Sequence, residues 1–181
     1  ALGDIGTEVA KRARGFNIQV YAVDKHPERV LQRNDGVRPS HVNELWGLNK
    51  LDKMLSLSDW LIVTSPLTPE TRGLIDRRRL ALLKDKARVV VISRGGIVDE
   101  DALIDGLRTG HIAGAGLDTV AIEPLSDTSP LWDMDNVVLS PHVASVTPEM
   151  WEDRRKIFKE NLRRFLAKEP FLYVCDKRGG F

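Results

Sequence analysis

The 181-residue sequence contains one cysteine, Cys175. A disulfide within these residues is thereby excluded, and a reducing, cytoplasmic setting is the expectation. No apolar run reaches about 18 residues, so no membrane span is expected. Charge of one sign is also lacking: 27 Lys and Arg stand against 26 Asp and Glu, a net charge of +1. That balance gives no reason to expect nucleic acid or an anionic membrane as partner. Short arginine clusters at 77–79, 154–155 and 163–164 fall in predicted helices beside acids, and read as solvated helix faces. No His, Cys and carboxylate spacing suits a metal ion. His26, His41 and His111 have no partner pattern and read as surface or structural. Aromatics are only 6% of the chain. Trp46, Trp60, Trp132 and Trp151 read as core or interface positions. No internal repeat, low-complexity segment or basic-then-apolar leader is visible.

What is present is an ordinary globular composition, 42% apolar and 29% charged, able to bury a core of useful size. The length suits one domain, or one domain with part of another. Residues 4–14 read as a helix with Ile5, Val9 and Ala13 on one face, stopped by Gly15. Residues 18–23 form a short apolar run ending at Asp24, as a buried strand does. A helical turn at 27–31 and a loop at 34–40 follow. Helices are expected at 48–57, 77–83, 99–108 and 148–168. Strands are expected at 60–64, 88–92, 112–117 and 136–139. Thr147 and Pro148 suit the N-cap and first residue of the last helix. Its Trp151, Phe158, Leu162 and Phe165 lie on one stripe. Strands alternating with helices predict an α/β fold: a doubly wound, Rossmann-like parallel sheet with helices on both faces.

The first residues, Ala-Leu-Gly-Asp-Ile-Gly, match the dinucleotide fingerprint G-x-G-x-x-G except at its first glycine. In that motif the glycines permit a tight turn, close backbone approach to a pyrophosphate, and close helix–strand packing. Alone the match is weak. Asp24 strengthens it, since an acid at about this distance bonds the ribose hydroxyls of NAD and repels the extra phosphate of NADP. Lys25 beside it softens that preference. The strand that should precede the motif is absent from these residues. In the order 3-2-1-4-5-6 that strand is central, so a gap is expected beside the second strand, and the sequence is expected to be a fragment.

Three residues follow strands and would meet at one sheet edge. Arg94 ends RVVVISR, Glu123 lies in the loop GLDTVAIEPL, and His142 follows NVVLSP. Taken singly, each is as readily a surface or structural residue. Together they suit one chemistry. A guanidinium holds a carboxylate bidentately. A histidine exchanges a proton with a hydroxyl or carbonyl oxygen. A carboxylate beside it favours the imidazolium and fixes the tautomer.

The stretches LGDIG, SDWLIVTSPLTPETRGLID, VVVISRGGIVDEDAL, GHIAGAGLD, IEPL and SPHVAS resemble the D-isomer-specific 2-hydroxyacid dehydrogenase family. The resemblance implies a cofactor domain at 1–146, truncated at its start. It implies a C-terminal helix and tail at 147–181 that return toward a substrate domain, including the ending KRGGF. It implies NAD as cofactor, with NADP less favoured, and a small 2-keto or 2-hydroxy acid as substrate. By position, Arg94 would bind the substrate carboxylate, His142 would be the acid–base group and Glu123 its partner. The backbone at Gly3, Asp4 and Ile5 would face the pyrophosphate, and Asp24 the ribose. Ser65, Pro66 and Thr71 resemble the second cofactor loop, and Ile92, Ser93 and Asp118 the strand ends around the nicotinamide. A homodimer is also implied.

Two departures stand out. Ala1 replaces a glycine, so weaker cofactor binding is expected. DTVAIEP lacks the aromatic and acidic residues usual before the glutamate. Glu123 in place of glutamine disfavours a formate dehydrogenase. The alternative to an enzyme is an NAD-sensing, corepressor-like module, against which the full Arg94, Glu123 and His142 set argues.

Overall fold

Helix α1 (Asp4–Gly15) starts directly after Gly3, whose extended backbone serves as N-cap without a side-chain hydrogen bond. The computed structural model of the chain describes residues 1–175. The KRGGF ending, at 177–181, lies outside the described residues. Helix α1 buries Gly6 and Ala10, while Ile5, expected on its core face, is 54% exposed. The small residues win that face because the helix must come close: a Cβ on Gly6 would overlap the Ala1 carbonyl. The helix runs one residue further than expected, taking in Gly15. Gly15 is its last residue, Phe16 is the C-cap, and Asn17 takes the left-handed φ of 59°. The N–H groups of Phe16, Asn17 and Ile18 all donate back to the carbonyls of Ala13 and Arg14. This turn uses up residues expected in the first strand, so β1 is only Tyr21–Val23.

Helix α2 (Pro27–Gln32) leads to β2 (Glu44–Trp46), a strand the sequence pattern did not predict. It is three residues long and begins with an exposed glutamate, so it has no apolar run. It pairs in parallel with β1, placing Trp46 beside Val23. The Trp46 ring stacks on Tyr21 at 5.7 Å. After a 3-10 turn at Leu48–Lys50, α3 (Leu51–Leu57) buries Leu51, Met54 and Leu55. There follow β3 (Trp60–Val63), α4 (Arg77–Leu80), β4 (Ala87–Val91), α5 (Glu100–Thr109), β5 (Ile112–Leu117), β6 (Val137–Leu139) and α6 (Pro148–Ala167). Boundaries differ from expectation by a residue or two, except that α4 is one turn rather than two.

All strand pairings between these elements are parallel, with β1-β2 in one sheet and β3-β4-β5-β6 in the other. Helices flank the strands, as in a Rossmann-like α/β fold. An open cleft of about 1700 Å³ separates the two sheets and is lined by residues of both β1 and β3. It falls where the doubly wound order places its central strand. One large core gathers Leu55, Val89, Leu103, Ile112, Leu131 and their neighbours. A small one holds Leu2, Ala10, Ala22, Val30 and Val42.

Helix α6 keeps its expected cap, with the Thr147 hydroxyl accepting from Met150 N–H. Its apolar stripe, however, faces outward: Trp151, Phe158, Leu162 and Phe165 are all exposed, and none of its residues is buried. Trp60 and Trp132 are exposed as well, so three of four tryptophans are not core residues. Trp60 and Trp151 instead carry the guanidinium groups of Arg88 and Arg154 over their rings. Arg77, Arg78 and Arg79 pair with Asp105 and Asp52, and Arg163 and Arg164 with Glu160. No helix is long and apolar enough to cross a membrane among the described residues.

Candidate active site

Strand register brings the site residues to one edge. Val63 pairs with Val91, Val91 with Leu117, and Leu117 with Leu139. These last residues form a row, so the chain leaves β3, β4, β5 and β6 along one line. Asp118 N–H donates to Val91 C=O at 3.0 Å and Ser140 N–H to Leu117 C=O at 3.0 Å. The ladder thus continues one step past the strands and fixes where Asp118 and Ser140 stand.

The expected pair forms. His142 Nδ1 lies 2.9 Å from Glu123 Oε2, with the two side chains 41% and 40% exposed. His142 sits at a φ of 55°, which costs a non-glycine residue about 1–3 kcal/mol and persists only where the surroundings impose it. The buried carboxylate of Asp118 imposes it here. Its Oδ1 accepts from the Ser140 hydroxyl at 2.7 Å, Val143 N–H at 2.9 Å and Ala144 N–H at 3.0 Å. Burial acts to raise the Asp118 carboxyl. The Ser140 hydroxyl and the two amides, with His142 nearby, outweigh it and hold the group below its usual value. Asp118 therefore remains a carboxylate with donors on both sides of the histidine.

Arg94 stands apart from this pair. Its exposed side chain turns back, Nη1 donating to Ser93 C=O at 2.7 Å, and among the described residues no hydrogen bond links it to Glu123 or His142. Its turn nevertheless abuts the glutamate loop, because a Cβ on Gly95 would overlap the Val120 carbonyl. Only glycine permits that approach. Ile92 is half-buried, its N–H weakly placed toward Val63 C=O at 3.4 Å. Ser93 is buried, and its Oγ has no partner among the described residues.

A second group lines the large cleft: Gly3, Asp4, Asp24, Ser65, Pro66 and Thr71. Ile5, Ile92, Ser93 and Asp118 are not on its wall. Asp24 ties the glycine turn to the end of β1, with Oδ2 accepting from Leu2 N–H and Oδ1 from His26 N–H, each at 2.8 Å. Lys25 is drawn to Glu70 at 2.7 Å, across to the second loop. That pairing holds the Glu70 carboxyl below its usual value. The Thr71 hydroxyl braces its own loop, accepting from Thr68 N–H and donating to Pro66 C=O, each at 2.7 Å.

These residues fit a dinucleotide. The first N–H groups of α1 have no partner within the helix, Gly3 supplies no capping side chain, and the place of its absent Cβ is open. An anion could approach that backbone closely. Sequence reasoning found the pair and the glycine turn. It missed Ser140 and Thr64, whose hydroxyl donates to the Ala1 carbonyl at 2.7 Å.

Residues 1–144 match the family model of the D-isomer specific 2-hydroxyacid dehydrogenase, NAD binding domain. Glyoxylate/hydroxypyruvate reductase B of Pectobacterium carotovorum is 42% identical over 170 residues, 93% of this chain and 50% of the relative. D-3-phosphoglycerate dehydrogenase of Mycobacterium leprae is 39% identical, over 99% of this chain and 32% of the relative. The chain thus spans half or less of the length of these two relatives. A crystal structure of a D-isomer specific 2-hydroxyacid dehydrogenase from Xanthobacter autotrophicus, in complex with NADPH and MES, matches with a TM-score of 0.86. It is 39% identical, with 100% of this chain and 70% of that one covered. An NADPH-dependent glyoxylate/hydroxypyruvate reductase from Sinorhizobium meliloti, in complex with NADP and sulfate, matches with the same TM-score at 28% identity. There, 100% of this chain and 55% of that one are covered.

Proposed function

This chain belongs to the D-isomer-specific 2-hydroxyacid dehydrogenase family, and from that premise we propose that the protein it forms interconverts a 2-keto acid and a 2-hydroxy acid with a nicotinamide dinucleotide. The observation that carries the reading is the 2.9 Å contact between His142 Nδ1 and Glu123 Oε2 at the strand-end edge. Nδ1 faces the carboxylate, which leaves Nε2 as the nitrogen that meets a substrate oxygen. His142 gives a proton to the keto oxygen in reduction and takes one from the hydroxyl in oxidation. Glu123 holds the ring and stabilises the imidazolium. Arg94 swings from its own backbone to the substrate carboxylate and binds it with two parallel hydrogen bonds.

The bound dinucleotide supplies or accepts the hydride. Gly3, Asp4 and Ile5 offer backbone N–H groups to its pyrophosphate, and Asp24 accepts from ribose hydroxyls. Ser65, Pro66 and Thr71 form the second loop against it. Ile92, Ser93 and Asp118 stand around the nicotinamide end. Asp24 favours NAD. The relatives seen with NADPH or NADP belong to the same family, so the preference is for assay with both cofactors. In this reading residues 1–146 form the cofactor domain, 147–181 return toward a substrate domain, and the protein is a cytoplasmic homodimer. Glyoxylate and hydroxypyruvate head the substrates to try, since a relative at 42% identity is named for them.

The test is His142→Gln in the full-length protein. Keto-acid reduction should fall by about 10²–10⁴-fold, while NADH binding, followed by fluorescence, stays close to the parent. Unchanged turnover would overturn the assignment. The corepressor-like alternative has the opposite signature: NADH bound tightly, and no 2-keto acid turned over even by the parent.

A further inference from the structure

Glu123 lies on a loop, and a loop must be fixed before its carboxylate can orient a ring. Three features fix residues 119–123. Val120 N–H points to Glu123 Oε1 at 3.4 Å. The Val120 carbonyl packs so closely on Gly95 that no side chain fits there. Ala121 N–H donates to Glu100 Oε2 at 2.8 Å. The first is long and belongs to the loop itself. The other two come from outside it, and both come from the segment that follows β4: Gly95 beside Arg94, and Glu100 at the start of α5.

We propose that Glu100 is a positioning residue for the His142–Glu123 pair, its carboxylate pinning Ala121 so that the glutamate loop is held against the turn bearing Arg94. The inference rests on the role proposed for that pair. Glu100 opens a ten-residue helix, where an acid is already favoured by the helix dipole, so a helix-stabilising role is the rival. Reach separates the two. The helix needs only a negative charge at this position. The loop needs an acceptor at the length of a glutamate side chain.

Three variants divide the possibilities. Glu100→Gln keeps an oxygen at the same reach. Glu100→Asp keeps the charge and shortens the arm. Glu100→Ala removes both. In the full-length protein, kcat for keto-acid reduction should fall about tenfold in Glu100→Ala and Glu100→Asp, with NADH affinity unchanged. Glu100→Gln should stay within about threefold of the parent, since a carboxamide oxygen can accept the same N–H. The pH–rate profile of Glu100→Ala should move toward that of Glu123→Gln. A helix-stabilising residue predicts otherwise: Glu100→Asp retains full kcat, Glu100→Ala loses thermal stability alone, and the proposal is overturned.

A second readout needs no turnover. In the full-length protein, amide exchange of Ala121 should quicken about tenfold in Glu100→Ala and Glu100→Asp but not in Glu100→Gln. The His142 Nδ1 proton signal, identified by its loss in His142→Gln, should weaken in the same two variants. Unchanged Ala121 exchange overturns the proposal. If Glu100→Ala does not fold, the Asp and Gln variants decide it. If His142→Gln keeps full turnover, the proposed function has failed, while Ala121 exchange still reports whether Glu100 holds the loop.

Discussion

The strands on the two sides of the gap carry different parts of the proposed site and pack against cores of different size. The β1-β2 half offers the glycine turn and Asp24. Its own apolar cluster is Leu2, Ala10, Ala22, Val30 and Val42, mostly small side chains. The β3-β6 half places the residues proposed for proton transfer and carboxylate binding, and it is built around a 22-residue cluster that includes Leu55, Val89, Ile97, Leu103 and Ile112. Val23 of β1 and the apolar face of α3 belong to that larger cluster, so the lighter half leans on the heavier one. Backbone N–H groups and one carboxylate can grip a dinucleotide through small adjustments. Proton transfer cannot tolerate them, because misplacement by about 1 Å costs on the order of 10²-fold in rate. The residues proposed for proton transfer and carboxylate binding follow β4, β5 and β6 of the heavier sheet, and the buried Asp118, just past β5, holds the turn that carries His142.

The largest test of this contrast is a pair of truncations. Leu55 is fully buried in the large core and Val42 is 1% exposed in the small one. Leu55→Ala should cost about 2–5 kcal/mol. Val42→Ala removes less side chain from a smaller cluster and should cost about half as much. Thermal melts of the two variants decide it. Equal losses would mean that the halves are packed alike, and the contrast would fail.

Next in size is the unevenness of opening within the parent chain. Amides of Val89 and Ala115, in the middle of the four-stranded sheet, should exchange on the order of 100-fold more slowly than those of Ala22 and Leu45. Native-state hydrogen exchange measures this directly. Uniform protection would show one cooperative unit, with β1 and β2 as firmly held as the rest. Added NADH should narrow the difference by binding across both halves.

The same contrast explains what the sequence revealed. In the heavier half β3, β4 and β5 each bury two or more residues and read as apolar runs, WLIV, RVVV and IAGAGL, so their places were found to within a residue. The residues just beyond them could then be sent to one edge, and His142 with Glu123 did meet there. In the lighter half β2 is Glu44–Trp46, without an apolar run, and only its pairing with β1 makes it a strand. Ile18 looked like strand, but the turn after α1 needed its N–H. The stripe on α6 was read correctly as a stripe, yet periodicity says which residues share a face and not what covers it. Glu100 and Ser140 were missed for a related reason. Each side chain makes a hydrogen bond to a residue some 20 positions away, and no local pattern records such a bond.

The smallest effect lies at the seam. Asp52, on α3, accepts from Arg78 at 2.8 Å and Arg79 at 3.0 Å, on α4. Since α3 also packs on β1, these bonds brace the helix that joins the halves. Hydrogen bonds from Arg78 and then Arg79 hold the Asp52 carboxyl down at about 2, against an ordinary 3.8. The pair is well exposed, so solvent screens most of that shift, and Asp52→Asn should lower Tm by only about 1–3 °C at pH 7. The sign of the pH dependence follows from a folded-state value below the unfolded one. The contribution is complete above about pH 4 and fades as the pH falls toward 2. Parent and variant should therefore differ at pH 7 and converge in acid, and added salt should shrink the difference at neutral pH. A gap that persisted in acid would point to packing of α3 on α4, and the seam would then be held by side-chain contact rather than by charge.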